Sequence, residues 1–66
     1  MAVVKVIELL AQSDKSWEDA AQGAVNAAAK SVRNIKTIYI ENLQGVVKDQ
    51  KIVEYRVDAK VSFVVE

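Results

Sequence analysis

The sequence has no cysteine and no histidine. The first absence rules out a disulfide and the Cys/His cluster of a structural zinc site. The second removes the imidazole on which most acid–base catalysis relies. There is also no glycine-rich phosphate loop and no serine in a nucleophile setting, so no enzyme is expected. Large side chains are scarce, with one Phe, one Trp and one Met. No sign of charge dominates, because nine basic residues balance nine acidic ones. That balance argues against a nucleic-acid partner, which calls for a basic excess. No apolar run reaches membrane-spanning length, so no membrane partner is expected. Residues 2–10 are apolar but broken by Lys5 and Glu8, and no small-residue cleavage site follows. No secretory leader is expected from that pattern, and the cytoplasm is the expected compartment.

What is present is strong period-two patterning. From 53 to 65, every odd position is apolar: Val53, Tyr55, Val57, Ala59, Val61, Phe63 and Val65. The even positions carry Glu54, Arg56, Asp58, Lys60 and Ser62. Residues 52–65 therefore form a long strand with one greasy face and one charged face. Residues 3–11 are aliphatic and β-branched and form a first strand, largely apolar on both faces, which suggests that its second face is also covered. Ser16-Trp17-Glu18-Asp19 fits a helix cap, a hydroxyl followed three residues on by an acid. Trp17, Ala20, Ala21, Ala24, Val25, Ala28 and Val32 then recur at helical spacing. Glu18 and Asp19 suit the positive end of the helix dipole, and Lys30 and Arg33 the negative end. Asn34 is the expected left-handed stop. Residues 35–47 form a second strand, with a bulge or bend expected at Gly45. Residues 48–51 turn the chain into the third strand.

Parity fixes the hairpin. If Ile38 and Ile40 join the core, they share a face with Val57, Ala59 and Val61. Thr37, Tyr39 and Glu41 then share the charged face with Arg56, Asp58 and Lys60. A right-handed crossover leaves room for the third strand between the first two. The fold class is α+β, in the order β-α-β-β, with a three-stranded antiparallel sheet wrapped around one helix. Residues 1–66 make one domain, near the lower limit of self-sufficient folding. A helix made mostly of alanine buries little area, and self-association is the remaining way to complete so small a core.

The stretches Val4-Lys5-Val6-Ile7-Glu8-Leu9, Ser16-Trp17-Glu18-x-Ala20-Ala21, Tyr55-Arg56-Val57 and Lys60-Val61-Ser62-Phe63 resemble the dodecin family in order, length and spacing. The resemblance implies small subunits assembled into a hollow homododecamer that stores or quenches flavins (FMN, riboflavin or FAD) rather than turning them over. Flavin-binding dodecins carry a Trp early in the second strand, which stacks on the flavin ring, where this chain has Thr37. They carry a Gln in the third strand, which bonds the polar ring edge, where this chain has Arg56. Stacking platforms contribute about 1–3 kcal/mol each, and Arg cannot accept from a ring N–H as Gln can. Weak or lost flavin affinity is the expectation. The chain is more similar to a branch with Arg after the third-strand Tyr and no second-strand Trp, whose members look like calcium-binding or ligand-orphan dodecins.

The candidate residues follow. Glu41 and Asp58 are expected to lie near one another on the charged face. They offer a hard-cation site for calcium, or each pairs with Lys60, Arg56 or Lys36. Arg56 has two uses: it reaches into the ligand cleft that the resemblance implies, or it bridges to an acid such as Glu54 or Asp58 of another subunit. Asn42 and Gln44, placed on the other side of the second strand, are polar candidates for a ligand's sugar-like tail. Trp17 is placed on the core stripe as an anchor rather than a ligand platform.

Overall fold

In a computed structural model that describes residues 2–65, the elements run β1 (Val3–Ser13), α1 (Trp17–Ala29), β2 (Ile35–Lys48) and β3 (Lys51–Val65). The sheet order is β1-β3-β2, and both pairings are antiparallel. The molecule measures 51 × 19 × 13 Å. Its length is that of β3, whose fifteen residues span about 50 Å at ~3.3 Å each.

The period-two pattern of β3 decides which face is covered. Val57, Ala59, Val61 and Phe63 are buried beneath the helix, and Ala20, Ala24 and Ala28 are the helix residues that meet the sheet. Ile38 and Ile40 of β2 and Leu9 and Ala11 of β1 pack around this seam, as do Ile38 and Ile40 in the expected register, opposite Val61 and Ala59. Trp17 is half-buried at the helix start. Its indole N–H donates to the Gln44 carbonyl at 3.1 Å, and its ring meets Tyr55 edge-on at 4.7 Å. Its role is the expected one of pinning the helix to the sheet.

The helix opens as its sequence dictates. The Ser16 hydroxyl accepts from the Asp19 N–H at 2.9 Å. The Asp19 carboxylate turns back to accept from the Ser13 hydroxyl at 2.7 Å. The helix closes earlier than its pattern suggests. Lys30 is the C-cap, and the Ser31 and Val32 N–H groups both donate to the Ala28 carbonyl. Val32 and Arg33 therefore lie beyond the helix. Asn34 does take a left-handed φ of 62°, but four residues past the last helical turn. It starts β2 instead of capping α1, and its carbonyl accepts from the Val64 N–H at 3.1 Å.

The strand β2 contains three register shifts, at Ile35/Thr37, Ile40/Asn42 and Val46/Val47. The last falls just past Gly45, which itself pairs with Tyr55. The middle one corrects the expected facing of this strand. Beyond it Asn42 pairs with Asp58 and Gln44 with Arg56, so both lie on the charged face rather than the opposite one. Leu43 moves to the face of Val57. A bulge inserts one residue and so inverts the parity of all that follows.

The even-numbered residues of β1 remain open to solvent, with Val6 57% and Leu10 82% exposed. Tyr39 on the same face is 65% exposed. Within one copy, nothing covers the second face of β1.

Asp49 and Gln50 occupy the two central positions of the β2–β3 turn with φ of 52° and 67°, the geometry of a type I′ hairpin. Gln is an unfavourable residue at the second of these. Replacing Gln50 with Gly relieves a left-handed penalty of about 1 kcal/mol and should raise the melting temperature. A melting temperature at or below the parent's, measured by circular dichroism, would show that Gln50 makes a compensating contact.

Candidate cation site and adjoining cleft

The charged face gathers three carboxylates from three strands. Glu8 comes from β1, Glu41 from the bulge of β2 and Asp58 from β3, and one oxygen of each lies within 4.8 Å of the others. The register explains the convergence. Leu10 pairs with Asp58 and Glu8 with Lys60, so Glu8 sits one diagonal step from Asp58. Glu41 is the unpaired bulge residue preceding Asn42, the cross-strand partner of Asp58. The bulge thus turns an acid that would otherwise oppose the 58–60 segment into one that leans over it.

The electrostatics are those of an incompletely neutralised acidic cluster. Lys60 Nζ lies 3.4 Å from Glu41 Oε1, with both side chains well exposed. Pairing of Glu41 with Lys60 was one of the two expected uses of that acid. Asp58 Oδ1 is closed off from water and meets no donor. The Glu8 pKa is raised. The main cause is a hydrogen bond to Asp58, which Glu8 can donate only when protonated. The negative charge of Asp58, loss of water contact and the charge of Glu41 add to this, while Lys60 opposes them. Crowded carboxylates are relieved by a proton or by a cation. Hard divalent cations take six to eight oxygens at roughly 2.3–2.6 Å. Three carboxylates supply part of such a shell and leave room for water.

Beside this cluster lies a cleft of about 370 Å³, whose wall includes Asp58 itself. Leu10, Ala11 and Val57 provide its apolar lining, and Gln12, Asn42, Gln44 and Arg56 its polar one. Arg56 Nε donates to Gln12 Oε1 at 2.9 Å. Among the described residues, Lys60–Glu41 is the one ion pair within the chain, so the Arg56 guanidinium has no carboxylate partner here.

The structure therefore brings Arg56, Asn42 and Gln44 together, and separately Glu41 and Asp58. Thr37 stands apart from both. It pairs with Ser62, to whose hydroxyl its own is hydrogen-bonded. Ser62 is six residues from Arg56 along β3, about 20 Å at ~3.3 Å per residue. Sequence reasoning missed Glu8, Leu10 and Gln12, all from β1. Their even parity was visible. Their place depended on the register between β1 and β3, which no short turn sets.

The sequence model of the dodecin family matches residues 3–66. The calcium dodecin of Mycobacterium tuberculosis is 36% identical over 63 residues, spanning 96% of this chain and 89% of that protein. The crystal structure of that calcium-chelating antigen, which has a calcium-binding site, is similar with a TM-score of 0.82 at 34% identity, covering 97% of this chain and 91% of the other. A Thermus thermophilus dodecin variant reaches a TM-score of 0.93 at 29% identity, covering 100% of this chain and 98% of the other. The chain belongs to the dodecin family.

The raised pKa of Glu8 has a definite sign. An acid whose folded pKa exceeds its unfolded one destabilises the fold once ionised, so stability falls as pH rises through the folded value. Below the ordinary value of 4.5 the effect vanishes. Glu8→Gln should therefore melt higher than the parent at pH 7 in the presence of a chelator, with the two curves converging near pH 4. Parallel curves from pH 4 to 8 would show that the cluster exerts no strain.

Proposed function

We propose that this chain is a non-enzymatic binding protein that takes calcium at Glu8, Glu41 and Asp58 and assembles with copies of itself into a closed shell, the homododecamer its family implies. The observation that carries the cation reading is the Asp58 carboxylate. One of its oxygens is buried without a donor, in the midst of two further carboxylates. A cation would satisfy that oxygen and relieve the repulsion together. The relative named for calcium supports the choice of ion. Self-assembly is supported by the small core of a single copy, whose largest fully buried side chains are two valines. It is supported too by the exposed apolar residues of β1, which await a cover.

Flavin is the second ligand considered, and it is the weaker reading. Thr37 offers no stacking surface, and its hydroxyl is engaged by Ser62. Arg56, Asn42 and Gln44 still furnish a polar cleft, so ligand capture there continues without the flavin stack.

Isothermal titration of the assembled protein with calcium tests the cation reading. Saturable binding is expected, and at a hundred times the dissociation constant it adds about 2.7 kcal/mol of stability. The double variant Glu41→Gln, Asp58→Asn should lose both the heat and the stabilisation. Riboflavin should shift the melting temperature little or not at all. A melting temperature that rises with riboflavin and not with calcium reverses the order of the two ligands.

A further inference from the structure

Asp58 belongs to two features at once. Its carboxylate is one corner of the acidic cluster, and it also forms part of the cleft wall that holds Arg56. We infer that the cleft is an oxyanion site coupled to the cation site through Asp58, so that each ligand strengthens the binding of the other. The cleft's ligand class is a small flat apolar body bearing a phosphate or carboxylate. This rests on the cation reading above and extends it to a second ligand.

The charges around Asp58 make the case. Glu8, Glu41 and Asp58 are negative, and Lys60 and Arg56 are positive. Three acids against two bases leave one net negative charge, which repels an anion from the cleft. A divalent cation held by the acids turns that balance to one net positive charge. The same cation engages the Asp58 carboxylate, the acid nearest in the wall to compete for an incoming oxyanion's partners. Arg56 is prepared for the anion. Its Nε is fixed by Gln12 at 2.9 Å, which leaves the two terminal nitrogens of the guanidinium to form a fork. No carboxylate within the chain neutralises it. The Asn42 and Gln44 amides lie across the cleft, brought to this face by the β2 bulge. Leu10, 82% exposed, offers a greasy wall that suits a flat hydrocarbon body. A free guanidinium, two amides and an apolar wall in about 370 Å³ together describe an amphiphilic anion.

Coupling between binding sites is reciprocal. The test uses the assembled protein and 1-naphthyl phosphate, followed by fluorescence, with 1-naphthol as the uncharged control. Saturating calcium should tighten the phosphate's dissociation constant about tenfold relative to a chelator. The phosphate should tighten calcium by the same factor in the converse calorimetric titration. Naphthol should show no calcium dependence. Arg56→Gln should abolish phosphate binding while leaving calcium affinity in place, which also reports that the variant is folded. Calcium binding without any change in phosphate affinity overturns the coupling and leaves the cation reading standing. Phosphate binding undiminished by Arg56→Gln overturns the oxyanion site. Absence of calcium binding in the parent overturns the cation reading, and the coupling with it.

Discussion

Three alanines on one face of α1 lie flush against the odd-numbered residues of β3, and the rest of the structure is arranged around that seam. Ala20, Ala24 and Ala28 are buried, as are Val57, Ala59 and Val61 opposite them. Small side chains let a helix approach a sheet closely, and strict alternation on β3 lets that approach occur on one face only. Once the odd residues face the helix, Glu54, Arg56, Asp58 and Lys60 must face the other way. The functional face is thus a consequence of the core pattern. The seam also sets a limit, because alanine gives up little apolar area to burial. A chain built on it leaves Val4, Val6, Leu10 and Tyr39 in water.

The site itself is the work of an irregularity. The bulge at Ile40/Asn42 frees Glu41 from cross-strand pairing and swings Asn42 and Gln44 onto the face of Arg56. Without it, the cluster would lose its third strand's acid and the cleft would lose its amides. Bulges recur beside functional sites because one inserted residue re-aims several side chains at once. Here a single residue links an acidic cluster and a polar cleft through the shared Asp58. The binding protein proposed above uses both sides of that residue.

Much of this was legible in the sequence. The alternation of β3, the Ser16 cap, the hairpin register from Ile38 to Ile40 and the anchoring by Trp17 all rest on local rules that nothing overrode. The proximity of Glu41 and Asp58 was legible too, though by a different geometry, since Asn42 is the true partner of Asp58. Three things were not. The helix ends at Ala29 because its last carbonyls are taken by the backbone N–H groups that follow, a tightening that helical spacing does not reveal. The β2 bulge has no glycine to mark it. Glu8 joined the cluster through a long-range register with β3, separated from it by the whole helix and hairpin.

The central claim is that one copy of this chain buries too little to stand alone and that other copies cover its open β1 face. Sedimentation velocity across a dilution series from micromolar to low nanomolar, paired with circular dichroism, tests it most directly. The account predicts a large closed assembly that loses secondary structure as it dissociates, with a melting temperature that rises with concentration. A folded monomer at nanomolar concentration, melting cooperatively at a temperature independent of concentration, would contradict it.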